Sequence, residues 1–251
     1  MIIWRDRFKA FGIHLTISLL IAALAALLVF FVWYPYPYRE ISGGRELFAI
    51  LVTIDVILGP MLTLSIFDRN KSRRALVFDF SVIGLAQLLA LGYGLFTVFA
   101  ARPVHLVFEY DRFRVVHAID VPREMLPKTP AGIEALPLTG PTVLSVRRVT
   151  NEEKADVGMQ ELAGLPVSAR PDFWQPYGKA RSEVLQQSKP VSELKARFAA
   201  KASLIDQGIK ASGRPIEKLR YLPLAGRKEF WTALIDPDDG KMLAAIALDP
   251  Y

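Results

Sequence analysis

The sequence contains no cysteine. Disulfides, thiolate nucleophiles and cysteine-bound metals are therefore excluded, and the chain suits an oxidising compartment without requiring one. Histidine is scarce, at three residues in 251. Two of them, His105 and His117, lie in the C-terminal part, and a metal centre would want more ligands at short spacing. There is no GxSxG, HExxH, Walker loop or GxGxxG. The acidic cluster Asp236, Asp238, Asp239 lacks the spaced ligands and closing glutamate of a calcium loop, and reads as a solvated turn. The expectation is a protein without cofactor, metal or catalytic site, and not an enzyme. Nucleic acid is no better a fit. The net charge is +6, but the basic residues of 195–220 are interleaved with Asp206 and Glu217, as on the solvated face of a surface helix.

What the chain has instead is long apolar runs. Residues 1–101 are mostly Leu, Ile, Ala, Val and Phe, whereas 102–251 carry scattered charges and prolines. The boundary falls near Ala101, giving a membrane region at 1–101 and a second domain at 102–251, long enough for a core of its own. A hydrocarbon layer of about 30 Å needs roughly 20 apolar residues in a helix. Three segments qualify: Leu15–Trp33, Leu47–Phe67 with Asp55 inside it, and Phe80–Ala101. The first follows a basic segment, but it is longer than the core of a signal peptide. It also ends in aromatics (Phe30, Phe31, Trp33, Tyr34, Tyr36) of the kind that sit at headgroup level, so an uncleaved anchor is expected.

Short-loop charges set the expected orientation. Arg5, Arg7 and Lys9 precede the first span, and Arg69, Lys71, Arg73 and Arg74 separate the second from the third. The loop between spans one and two has Arg39 and Arg45 set against Glu40 and Glu46. The N-terminus and second loop then face the cytoplasm. Residues 102–251 lie on the far side, the periplasm of a bacterium, and the membrane is the inner one.

Three features inside the spans bear on function. Asp55 lies near the middle of span two and Gln87 at a similar depth in span three, so the two are expected to hydrogen-bond across the bundle. A mid-membrane carboxyl must be neutral or paired. The pair is then helix-to-helix glue, a proton relay or a contact for a foreign helix. Gly59-Pro60 predicts a kink, as a fixed shape or as a hinge. Ala86, Ala90 and Gly94 form a four-residue strip of small residues, with Ala22 and Ala26 on span one. The strip serves either packing of the three spans or docking of a partner helix.

In the second domain, Val104–Val121 reads as a strand, a turn at Tyr110-Asp111-Arg112 and a second strand from Phe113. Residues 122–142 and 170–178 read as irregular. Asn151 suits the start of a helix running to about Leu162. A helical stretch from about Lys179 to Ala211 should be broken at Pro190, with Ser188 or Ser192 capping its second piece. Strands follow at Leu219–Pro223, Glu229–Ile235 and Met242–Leu248, the last two joined by an Asp-Gly turn. The fold class is thus three transmembrane α-helices followed by an α+β domain with a mainly antiparallel sheet.

The N-terminal half resembles the type IV pilin accessory protein family of the TfpX/TfpZ kind. The resemblance rests on Arg7-Phe8-Lys9-Ala10-Phe11-Gly12-Ile13-His14-Leu15, Phe31-Val32-Trp33-Tyr34-Pro35 and Gly43-Gly44. It continues through Asp55-Val56-Ile57-Leu58-Gly59-Pro60, Phe78-Asp79-Phe80-Ser81, Ala101-Arg102-Pro103-Val104 and Asp111-Arg112-Phe113. It implies a chaperone-like inner-membrane factor without enzymatic activity. That factor would sit in membrane lipid and help a cognate major pilin, with other pilus-assembly proteins, become an assembled pilus. A membrane-anchored periplasmic sensor or ligand-binding protein is the alternative, but a sensor needs a cytoplasmic output larger than a short tail and a loop. A membrane enzyme acting on envelope substrates is the third reading.

Overall fold

Apolar runs that must satisfy every backbone group internally become helices, and the computed structural model has three of them in its first part. It describes residues 2–68 and 71–251, which divide into two units, Met1–Ala101 and Arg102–Tyr251. The helices long and apolar enough to cross a membrane are Trp4–Trp33, Gly44–Ile66 and Arg73–Ala100. Each begins before the apolar run seen in the sequence. Hydropathy marks only the part that faces hydrocarbon, while helical hydrogen bonding continues into the charged first turns.

In the first unit α1 (Ile2–Leu27) runs directly into a π-helical turn, Leu28–Trp33. A short α2 (Tyr38–Ile41) leads into span two, made of α3 (Gly44–Val52), a π-helical segment (Thr53–Leu58) and α4 (Gly59–Ile66). Span three is α5 (Arg73–Ala100), capped by Ser72, whose Oγ accepts the Ala75 N–H at 3.3 Å.

Two sets of contacts fix the directions of the spans. At one end the buried Tyr34 donates its hydroxyl to the Val98 carbonyl at 3.0 Å. Its ring lies so close to Gly44 that a Cβ there would fall 2.6 Å from Cδ1. Gly43 beside it is left-handed, at φ 71°. At the other end His14 meets Thr63, and the rings of Phe67 and Phe80 lie 6.2 Å apart. Arg5, Arg7 and Lys9 therefore share one end of the bundle with Lys71, Arg73 and Arg74. Arg69 lies outside the described residues. Arg39 and Arg45 are at the opposite end, both beside Glu40 (3.4 and 3.0 Å).

The second unit is built on an eight-stranded sheet. Its strands are β1 (Pro103–Glu109), β2 (Arg112–His117), β3 (Thr142–Val146), β4 (Trp174–Pro176), β5 (Lys189–Pro190), β6 (Arg220–Ala225), β7 (Phe230–Ile235) and β8 (Met242–Ile246). The order is β4-β3-β1-β2-β6-β7-β8, with β5 also on β6. The β1–β3 and β2–β6 pairs are parallel and the rest antiparallel. The β1–β2 hairpin matches the expected strand, turn and strand, and pairs Glu109 with Arg112. Tyr110 takes a positive φ, 53°, to close it.

Four helices accompany the sheet: α6 (Lys154–Leu162), α7 (Arg181–Gln187), α8 (Val191–Arg197) and α9 (Ala202–Ser212). Val191, Leu194 and Ile205 from α8 and α9 pack on Leu219, Tyr221, Leu234 and Ile246 in one core. Val104, Val107, Val116, Leu144 and Trp174 form a second. All seven residues of β1 are buried, as for a strand covered on both faces.

Several expectations are corrected. The stretch at 179–211 is three helices, not two. Pro190 does break it, but as extended chain (φ −62°, ψ 137°) paired with β6. Neither Ser188 nor Ser192 caps α8, because Pro190 occupies the cap position. Ser188 Oγ instead donates to the Leu185 carbonyl and accepts Arg220 Nε at 2.7 Å. Asn151 does not cap α6, which starts after Glu153. The Glu153 carboxylate takes the Thr150 N–H and a two-pronged bond from Arg147 (2.9 and 2.8 Å), closing a turn in front of the helix. Strands β3 and β4 fall within or beside segments read as irregular. Their partners lie far away in sequence, and no local alternation marks them.

Candidate functional site

Span two carries two buried polar side chains, Asp55 and Thr63. Asp55, Gly59 and Thr63 recur every four residues. Thr63 is fully buried, and its Oγ1 lies 2.6 Å from His14 Nδ1. Gly59 closes on the Gln87 amide, which occupies the space a Cβ would need.

Asp55 and Gln87 do meet, but not through the carboxylate. Gln87 Nε2 donates to the main-chain carbonyl of Asp55 at 3.2 Å. The helix register explains this. Asp55 lies in the π-helical segment Thr53–Leu58, just ahead of Gly59-Pro60. In an i→i+5 register its carbonyl would look to the nitrogen of Pro60, which bears no hydrogen. Gln87 supplies the missing donor. The expected kink at Gly59-Pro60 thus takes the form of a widened turn upstream of the proline.

The Asp55 side chain is buried, at 8% exposure. Among the described residues neither carboxylate oxygen has a hydrogen-bond partner. It lines a cavity of about 450 Å³ between α1 and α5. Ile13, Ile17 and Ile21 form one wall and Leu88 and Leu91 the other, with His14, Ser18 and Gln87 as further polar lining. His14, Ser18 and Thr63 are not singled out by residue type or motif. The signal was present: His14 and Ser18 are four apart on α1, and Asp55 and Thr63 eight apart on span two.

The small-residue strip is divided. Gly94 is taken up inside the bundle, where the Leu51 side chain fills the place of its missing Cβ. Ala90 is half-buried and Ala86 exposed. On span one, Ala22 and Ala26 are half-buried.

In the second unit, His105 is fully buried and edge-on to Trp174, with ring centroids 4.4 Å apart. Its Nε2 faces the Ala135 carbonyl at 3.0 Å and its Nδ1 faces Thr142 Oγ1 at 2.7 Å. A carbonyl can only accept, so Nε2 carries the proton and Nδ1 accepts from threonine. Burial pushes the imidazole down to about 4, against the pull of the Ala135 carbonyl. His117 Nδ1 pairs with Asp120 Oδ2 at 3.0 Å, and Asp120 Oδ1 with Arg227 at 2.9 Å. Burial alone would raise the Asp120 carboxyl; His117 and Arg227 outweigh it and hold it below its ordinary value. The adjoining 280 Å³ pocket is lined by Arg114 and Arg227 together with Gly164, Pro166 and Gly226. Asp236 is bound to Arg214 (2.8 Å) and to the Asp238 N–H (2.9 Å), and closes a turn. Among the described residues no three His, Asp or Glu side chains come together as metal ligands would.

These features define a class: a membrane protein with three apolar helices, a largely apolar cleft among them that holds a few polar groups, and a separate α+β unit. The particular family follows from comparison. A family model described as fimbrial assembly protein FimB matches residues 2–43. The fimbrial assembly protein of Dichelobacter nodosus serogroup I is 32% identical over 246 residues, 97% of this chain and 95% of its own. That of serogroup E1 is 30% identical over the same shares. That of serogroups C1 and C2 is 43% identical over 120 residues, 48% of this chain and 92% of its own. The chain belongs to this family of fimbrial assembly proteins. No solved structure matches it.

Proposed function

We propose that this chain is an inner-membrane accessory factor, chaperone-like in action, that brings a cognate type IV pilin into an assembly-competent state. The observation that carries this reading is end-to-end similarity to relatives named as fimbrial assembly proteins. On this reading the N-terminus is cytoplasmic and residues 102–251 are periplasmic, in keeping with basic clusters at both 5–9 and 71–74. The factor works by binding, without chemistry of its own. A pilin awaiting assembly presents a hydrophobic helix in the membrane and a head outside it. A chain with a cleft among its spans and a folded domain beyond them has a surface for each.

The test is deletion of the gene in its native host, followed by comparison of surface-sheared with total cellular pilin. Sheared pilin is expected to fall while total pilin holds, and the restored gene to reverse the loss. If both quantities are unchanged, the reading is wrong.

A further inference from the structure

Asp55 is the unusual group of the membrane unit. A carboxyl buried among hydrocarbon needs a hydrogen-bond partner, because no water is there to replace one. Here the one nearby amide, Gln87, is turned to the main-chain carbonyl, and both carboxylate oxygens are left over. They adjoin a cavity that opens between α1 and α5, whose walls include the exposed side chains of Ile13, Ile17 and Leu88 (65, 51 and 65% exposed). The groove is therefore apolar along its sides and carries an unpartnered acceptor at its floor.

We propose that this groove seats a transmembrane helix of a partner protein, and that this helix carries a hydrogen-bond donor or cation at the depth of Asp55. Complementarity selects this occupant. An acyl chain matches the isoleucine and leucine walls but offers nothing to the carboxyl. A second copy of this chain would bring another carboxyl; its span donors Thr16, Thr53, Ser65, Gln87 and Thr97 already donate to backbone carbonyls, and between residues 10 and 100 the sequence has no Lys or Arg outside its loops and the first turns of its spans. A foreign helix can present apolar side chains at helical spacing to the walls and one donor to the floor. Identifying that helix with the pilin's rests on the function proposed above; its presence in the groove does not.

The test uses the full-length chain in native-host membranes, with a photocrosslinking amino acid at Leu88, which lines the groove, or at Leu62, an exposed position outside it. Adducts are mapped by mass spectrometry. Leu88 is expected to capture an apolar span of another protein with a donor side chain or amino terminus within one turn of the adduct; Leu62 is not. Asp55→Leu, and separately replacement of the partner's donor, should each lower that adduct at least about tenfold, the effect of losing one charge-assisted hydrogen bond. Asp55→Asn, which keeps an acceptor, should lower it less. Ile17→Trp fills the groove without touching Asp55 and should also abolish the adduct. The proposal is overturned if Leu88 yields only lipid adducts or adducts with a second copy. It is equally overturned if the captured span lacks a donor or the adduct survives Asp55→Leu. A donor-bearing span that is not pilin would uphold the groove and count against the pilin reading.

Discussion

At the scale of single residues, several positions owe their identity to one contact. Gly44 has no side chain because the Tyr34 ring stands in that space, and Tyr34 in turn reaches the Val98 carbonyl. Trp33-Tyr34-Pro35 and Gly43-Gly44, separate in the sequence, are two sides of one joint. His105 is another such position. Its folded value of about 4 lies below its ordinary 6.5, so between these limits the unfolded chain binds the extra proton. Stability is then fully present above about pH 6.5 and lost as pH falls toward 4. Between about pH 7.5 and pH 5 the loss from this one group is roughly 2 kcal/mol. Thermal unfolding of the detergent-solubilised chain at the two pH values should show a smaller difference in His105→Gln than in the parent. An unchanged difference would assign the pH dependence to other groups.

At the scale of elements, close approach decides how α9 meets the sheet. Gly208 is buried, and a Cβ there would press into the Ile246 side chain, itself confined between the helix and Leu234. Ile246 is branched at Cβ and cannot swing aside at low cost. Gly208→Val should destabilise the chain by about 1–3 kcal/mol through overpacking, seen as a lower midpoint of unfolding. Combining it with Ile246→Ala should recover part of the loss, because the two changes share one space. The π-helical segment of span two is a second case. In its i→i+5 register the Asp55 carbonyl would look to the Pro60 nitrogen, which has no hydrogen, and Gln87 donates to that carbonyl and not to the carboxylate.

At the scale of the whole molecule, the open question is direction across the membrane. The absence of cysteine makes it directly testable, since any introduced cysteine is unique. With a membrane-impermeant maleimide added to cells whose outer membrane is permeabilised, Lys201→Cys should be labelled and Ser72→Cys should not. Both positions are at the surface, so access depends on the side of the membrane. The reverse pattern would invert the proposed orientation, place the second unit in the cytoplasm and remove its access to a pilin head.

Much of this molecule was legible from one dimension. Membrane spans are set by length and hydropathy, which are sums over neighbours in the chain, so their number and approximate limits could be read directly. The β1–β2 hairpin and the Asp-Gly turn before β8 are local too, the first legible from alternation and the second from the Asp-Gly dipeptide between two apolar runs. Strands β3 and β4 are not visible in the sequence, because β3 becomes a strand by lying parallel to β1 with 32 residues between them, and β4 by pairing with β3. In the sequence the 179–211 stretch shows only helical propensity interrupted at Pro190, because that propensity is local, whereas the pairing that turns Lys189–Pro190 into a strand comes from β6. In the site, residue types and depths placed Asp55 and Gln87 near each other. Only the folded bundle determined which atom of Asp55 is satisfied, that His14 reaches Thr63, and that a cavity stands beside the remaining carboxylate. The composition of each segment determines whether it meets lipid or water, because transfer free energy adds up residue by residue. Which polar atoms are left unpaired depends on helix register and side-chain reach, and these exist only once the helices are packed together.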